Sequence, residues 1–138
     1  MKRTRRFYWG SAIFVLLCFV PAIPISVVPS IKLQVVDELG NPQPNMVIEQ
    51  SWRHYTYQFI DDVSQVRSND HGVAEFPERI EYFSFAQIAL GQALKVVQFM
   101  NPHASFGPSS LFLPRGNVSG QAYFEPGHPL PTTMVVKR

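Results

Sequence analysis

The sequence predicts a mainly β protein: a seven-stranded-type antiparallel β-sandwich with one inserted α-helix at about 84–100, preceded by an N-terminal transmembrane or signal helix. Three observations carry that expectation. From Ile31 onward, short runs of alternating apolar and polar residues are separated by Gly, Pro, Asn and Asp clusters every 8 to 12 residues or so, a rhythm that favours a sandwich over a parallel α/β sheet. Ser84 to Met100 breaks the rhythm with helical periodicity. Ahead of both, 25 uncharged residues, Phe7 to Ile31, follow a basic cluster.

That uncharged run reads as membrane-targeting. Lys2, Arg3, Arg5 and Arg6 precede it, which by the positive-inside rule leaves the N-terminus in the cytoplasm and exports everything after Ser30. Tyr8 and Trp9 suit the interfacial belt, and apolar residues extend through Ile23, Ile25, Val27 and Val28, roughly the length that crosses a bilayer. The expectation is a single-pass anchor through residues 7–28 in the cell membrane, with the domain extracytoplasmic. The alternative is secretion after cleavage near Ala22, because Val20-Pro21-Ala22 offers tolerated residues at a signal-peptidase site. Leu17 before Cys18 argues against lipoprotein processing. The chain therefore divides into a segment 1–30 and a domain 31–138.

Charge supports the division. The net of +2 comes from the N-terminal cluster, since from Ile31 onward eight Lys and Arg face ten Asp and Glu. The basic pI reports a tail and points to no nucleic-acid partner. Cys18, the sole cysteine, lies in the apolar run, so the domain can form no internal disulfide and no thiolate zinc site.

Within the domain, Ile31 to Val35 alternates with period two, as a strand with one buried face does. Asp37 to Pro44 is a turn. Met46 to Trp52 is a second strand, with Tyr55, Tyr57 and Phe59 as its continuation or hairpin partner. Val63 to Ser68 follows, closed by Asn69-Asp70-His71-Gly72, and Gly72 to Phe76 is the next. Short strands at 110–113, 120–124 and 132–137 are set in a stretch with six Pro and four Gly between Asn101 and Pro131. In the helix, Gln87, Gly91, Lys95 and Gln98 form a narrow polar stripe. Phe85, Ile88, Val96, Val97 and Met100 belong to a wide apolar arc. Ser84 is placed to cap the helix and Asn101-Pro102 to stop it. So apolar a helix is expected to pack on its own sandwich, the alternatives being a partner or a bilayer surface.

Val36-Asp37-x-x-Gly40-x-Pro42-x-Pro44-x-x-Val47, followed by Ser68-x-Asp70-x-Gly72-x-x-x-Phe76-Pro77, resembles the carboxypeptidase regulatory-like domain, a transthyretin-like or immunoglobulin-like sandwich of exported bacterial proteins. The likeness covers about Ile31 to Pro77. The helix departs from the family's usual strand after Phe-Pro. The resemblance implies a non-catalytic module and names no ligand.

The residues that could carry chemistry are consistent with that implication. No two of His54, His71, His103 and His128 have the i, i+4 spacing of a helical zinc site. Asp61, Asp62 and Asp70 lack the spacing of a calcium loop and read as turn caps. There is no Gly-x-Ser-x-Gly elbow. The purine-catabolic hydrolase of transthyretin-like fold ends in Tyr-Arg-Gly-Ser, which this C-terminus lacks. No catalytic residue, metal or cofactor is therefore expected. The candidate binding surface is Trp52, His54, Tyr55 and Tyr57 with the loop residues His71 and His103, since aromatics beside Arg53 form a platform. The expected role is binding or structural in the cell envelope, with a protein partner there. The alternatives are a subunit of a larger membrane complex, using the helix and the anchor as interfaces, and a small transthyretin-like hydrolase working through His54, His71 or His103.

Overall fold

The computed structural model describes residues 11–101 and 103–137. The basic cluster, Tyr8, Trp9 and Pro102, expected to stop the helix, lie outside them. Residues 11–17 are helical (α1). Strands β1 (Ile23–Val28), β2 (Ile31–Val36), β3 (Val47–His54), β4 (Asp62–Arg67), β5 (Val73–Phe76) and β6 (Arg79–Phe83) follow. Then come helix α2 (Phe85–Gln98) and strands β7 (Pro108–Pro114), β8 (Ala122–Phe124) and β9 (Thr133–Val135).

The protein is mainly β. Its strands form a ribbon β1-β6, a three-stranded sheet β5-β2-β9 and a four-stranded sheet β4-β3-β7-β8. Period-two patterning decides which face each strand buries. Ile31, Leu33 and Val35 of β2 point inward, as do Ile48, Gln50, Trp52 and His54 of β3, while their neighbours face outward or sit at the margin. Phe76 of β5 and Phe112 of β7 meet edge to face at 4.9 Å, joining the two larger sheets across one core. Rings held this way add about 0.5–1.5 kcal/mol beyond their burial.

Two turns of the sequence motif join into one corner. The Asp37 carboxylate accepts the N–H groups of Leu39 (2.9 Å) and Asn41 (2.8 Å), and Gly40 takes φ 84°. The Asn69 side-chain oxygen accepts from His71 N–H (3.0 Å) and Val73 N–H (2.9 Å), so Asn69 caps this turn where Asp70 was the expected cap. Val35 N–H donates to Gly72 O at 2.8 Å, drawing the second turn onto the first.

Three expectations are corrected. β2 and β9 pair in parallel, so the arrangement is not wholly antiparallel, and nine strands lie among the described residues. Second, the boundary at residue 30 falls inside the folded unit. Ile23–Val28 pairs with β6, and a register shift between Ser26 and Val28 turns both Val27 and Val28 into the core. Residues 23–28 of the expected anchor 7–28 are therefore a strand of the folded unit, and the uncharged run ahead of β1 in the sequence, Phe7 to Ala22, has 16 residues. Among the described residues, no helix is long and apolar enough to cross a membrane. Third, α2 does not bury its apolar arc.

Candidate interaction surface

The surface is built where the β3–β4 connection meets α2. At the end of β3 the chain turns sharply. Tyr57 and Gln58 donate their N–H groups to His54 O at 2.9 and 2.8 Å, and Gln58 Oε1 accepts from His54 N–H at 2.6 Å. Tyr55 N–H donates to Gly107 O (2.8 Å) and Gly107 N–H to Thr56 Oγ1 (3.1 Å), fixing this turn to the segment before β7. Tyr55 and Tyr57 thus stand in a turn; they do not continue the strand.

Helix α2 starts with a capping box: Ser84 Oγ accepts from Gln87 N–H at 3.1 Å, and Gln87 Oε1 accepts from Ser84 N–H at 2.8 Å. Its one fully buried residue is Gly91, whose missing side chain lets Thr56 and Tyr57 approach. Tyr57 OH accepts from Gln92. The residues that line the small open recess between turn and helix, about 60 Å³, include Tyr55, Tyr57, Leu90, Leu94, Lys95 and Phe106, with Gln87 and Gln98 along the same stripe.

The helix is therefore inverted relative to expectation. Gly91 is buried against the turn, Gln87, Lys95 and Gln98 of the same stripe are exposed along the rim of the recess, and most of the apolar arc faces away. Ile88 alone of the interface residues proposed from sequence packs against the core; Phe85, Val96, Val97 and Met100 are exposed, Val96 at 77% and Met100 at 91%. The reason is steric. A crossing this close to backbone admits only glycine, and Gly91 lies on the polar stripe.

The six proposed binding residues do not form one site. Trp52 is buried, its indole N–H donating to Glu81 at 3.0 Å while the Arg79 guanidinium lies 4.3 Å over the ring. Arg79 also donates to Gln50 Oε1 (3.0 Å) and Ser64 Oγ (2.9 Å), and burial holds its pKa below the usual arginine value. His54 is buried too, stacked on Tyr57 at 4.1 Å, with Phe83 edge-on at 5.9 Å. Among the described residues its Nδ1 has no hydrogen-bond partner. Burial foremost, with a smaller repulsion from Lys95, lowers its pKa below the ordinary histidine value. Tyr55 lies under the Arg53 guanidinium at 3.8 Å and shares a second open recess with His103. His71 is elsewhere. Val47 pairs with Arg67, so the 69–72 turn lies at the opposite end of β3 from His54, about 25 Å away for eight strand residues.

Asp61 lies 3.2 Å from Arg53 Nε and Asp62 accepts from Gln58 at 3.1 Å. Among the described residues no group of three His, Cys, Asp or Glu side chains is placed to hold a metal ion. Gly91 and the loop-tip residues Phe59 and Ile60, both strongly exposed, were not foreseen. A glycine midway along an otherwise apolar helix is the signal of a close crossing.

The second apolar feature is the N-terminal segment. Phe14, Leu16, Leu17 and Phe19 are each more than 60% exposed, and the chain meets the core from Ile25 and is fully buried in it at Val27. α2 is attached directly to this segment. Ala86 N–H donates to Cys18 O at 2.9 Å and Ala22 N–H to Phe83 O at 3.2 Å. No protein-family model, curated protein or solved structure matches the chain.

Proposed function

We propose that the chain is an exported β-sandwich module of the carboxypeptidase regulatory-like type, tethered to the outer side of the cell membrane by its N-terminal segment, with a non-catalytic binding or structural role in the envelope. The observation that carries this reading is the contrast between residues 11–20 and the sheets. The large apolar side chains of the first stay outside a core that is complete without them. Bare side chains such as these, following four cations, suit hydrocarbon and not water. The joined corner of the Gly40 and Gly72 turns supports the family reading, because both motif halves contribute to one packed unit.

The test is expression of the full chain in a Gram-negative bacterium with alkaline phosphatase fused to its C-terminus, together with mass spectrometry of the mature N-terminus. Phosphatase activity in the membrane fraction with residues 7–22 retained is the expected result. An inactive cytosolic fusion overturns export, and a soluble product starting at Ile23 replaces the tether with a cleaved signal.

A further inference from the structure

We propose that α2 is a second membrane contact, lying flat on the outer leaflet with Ala89, Ala93, Val96, Val97 and Met100 immersed at the boundary between headgroups and acyl chains. The inference rests on the tether reading and adds to it the site, the orientation and the ligand, a phospholipid bilayer.

Four observations meet here. The first is inversion: a helix that packs Gly91 on its own domain, keeps Gln87, Lys95 and Gln98 at the rim of that contact and turns its valines outward is patterned for an apolar exterior. The second is position. Ala86, in the first turn of α2, is hydrogen-bonded to Cys18, a residue of the tether itself, and only Pro21 and Ala22 separate Val20 from β1. No linker can hold the domain away from the surface, so α2 begins at the depth where the tether emerges.

The third is length. The 16 uncharged residues Phe7 to Ala22 fall short of the roughly 20 that span a hydrocarbon core, and a short apolar segment draws its flanks into the bilayer. Stable attachment by weak membrane signals generally takes two of them. The fourth is charge. Residues 82–124 contain no Asp or Glu, so no carboxylate on α2 opposes an anionic leaflet.

The experiment uses the full chain with Cys18→Ser and one new cysteine at Val96, in the exposed arc, or at His71, in the distant turn, each carrying an NBD fluorophore. The Cys18 contact is made by its backbone carbonyl and survives the substitution. Protein is reconstituted into mixed phosphatidylcholine–phosphatidylglycerol vesicles with and without doxyl-labelled lipid, and recovered by flotation. Support is a blue shift and doxyl quenching at position 96, with iodide quenching retained at 71. If the protein floats but position 96 stays open to iodide and untouched by doxyl lipid, the α2 inference is overturned and the tether reading stands. Protection from iodide without doxyl quenching also overturns it, in favour of a protein partner or a second copy. Failure to float removes both readings.

Discussion

Gly91 of α2 lies against the Thr56 carbonyl and the Tyr57 ring so closely that a Cβ at that position would stand 2.4 Å from Thr56 O and 2.6 Å from Tyr57 Cδ1. An alanine would gain about 1 kcal/mol of helix propensity in an open helix. Here the obstacle is a backbone carbonyl held by the turn, so overpacking at about 1–3 kcal/mol outweighs the gain. Gly91→Ala is expected to lower stability in urea denaturation and to disturb the Tyr57 environment; a more stable variant would contradict the crossing.

That crossing also explains what the sequence could and could not disclose. The strands β2 to β5 and the span of α2 follow from period-two and period-3.6 patterning, and Ser84 is the cap the pattern requires. β1 was hidden because Ile23, Ile25, Val27 and Val28 continue an apolar run, and periodicity cannot separate a buried strand from a membrane segment at its end. α2 was given the wrong inner face for a different reason. An amphipathic pattern locates two faces, and only tertiary contact, here a glycine admitting a backbone, decides which one turns inward. The aromatic cluster dissolved likewise, since alternation along β3 sends Trp52 and His54 into the core and leaves Tyr55 and Tyr57 to the turn.

The buried imidazole of His54 sets a pH dependence. Burial disfavours its charged form, and Lys95 adds to that, so the folded-state pKa lies below the ordinary value of about 6.5. Unfolded chains then take up the proton first. Above about 6.5 both states are neutral at this site and it contributes nothing; as pH falls below that value, protonation favours the unfolded state and stability declines. Thermal melts of the full chain between about pH 7 and pH 5 should show a decline that His54→Phe lessens, because phenylalanine keeps the stack on Tyr57 and cannot titrate. His71, His103 and His128 remain in both proteins and cancel in the comparison. Parallel curves would remove His54 as a cause.

The two motif glycines should differ in cost. Both have positive φ, Gly40 at 84° and Gly72 at 75°, so alanine at either incurs roughly 1–2 kcal/mol of backbone strain. Around Gly40 there is open space, whereas a Cβ on Gly72 would stand 2.9 Å from Gln43 N, Pro42 Cβ and Val35 O. Gly72→Ala must also part the two turns, for about 1–3 kcal/mol more. Denaturation midpoints for the two variants decide the matter, and equal losses would mean the turns are not packed together.

β6 is fastened to the four-stranded sheet through Trp52. Trp52 reaches from β3 to donate its indole N–H to Glu81, and Arg79 stacks on the same indole while holding Gln50 and Ser64. Trp52→Phe keeps most of the ring but removes the donor, leaving a half-buried carboxylate short of a partner at a cost of about 1–3 kcal/mol. Glu81→Gln retains an accepting oxygen for the indole, so its loss should be the smaller. The two changes should be strongly non-additive, because the double variant lacks both the donor and the stranded charge. Since β6 leads through Ser84 into α2, amide exchange along Phe85–Gln98 should quicken in Trp52→Phe before the sheet unfolds. Additive losses, or unchanged exchange in the helix, would show that Trp52 serves the core alone and does not anchor the ribbon that presents α2.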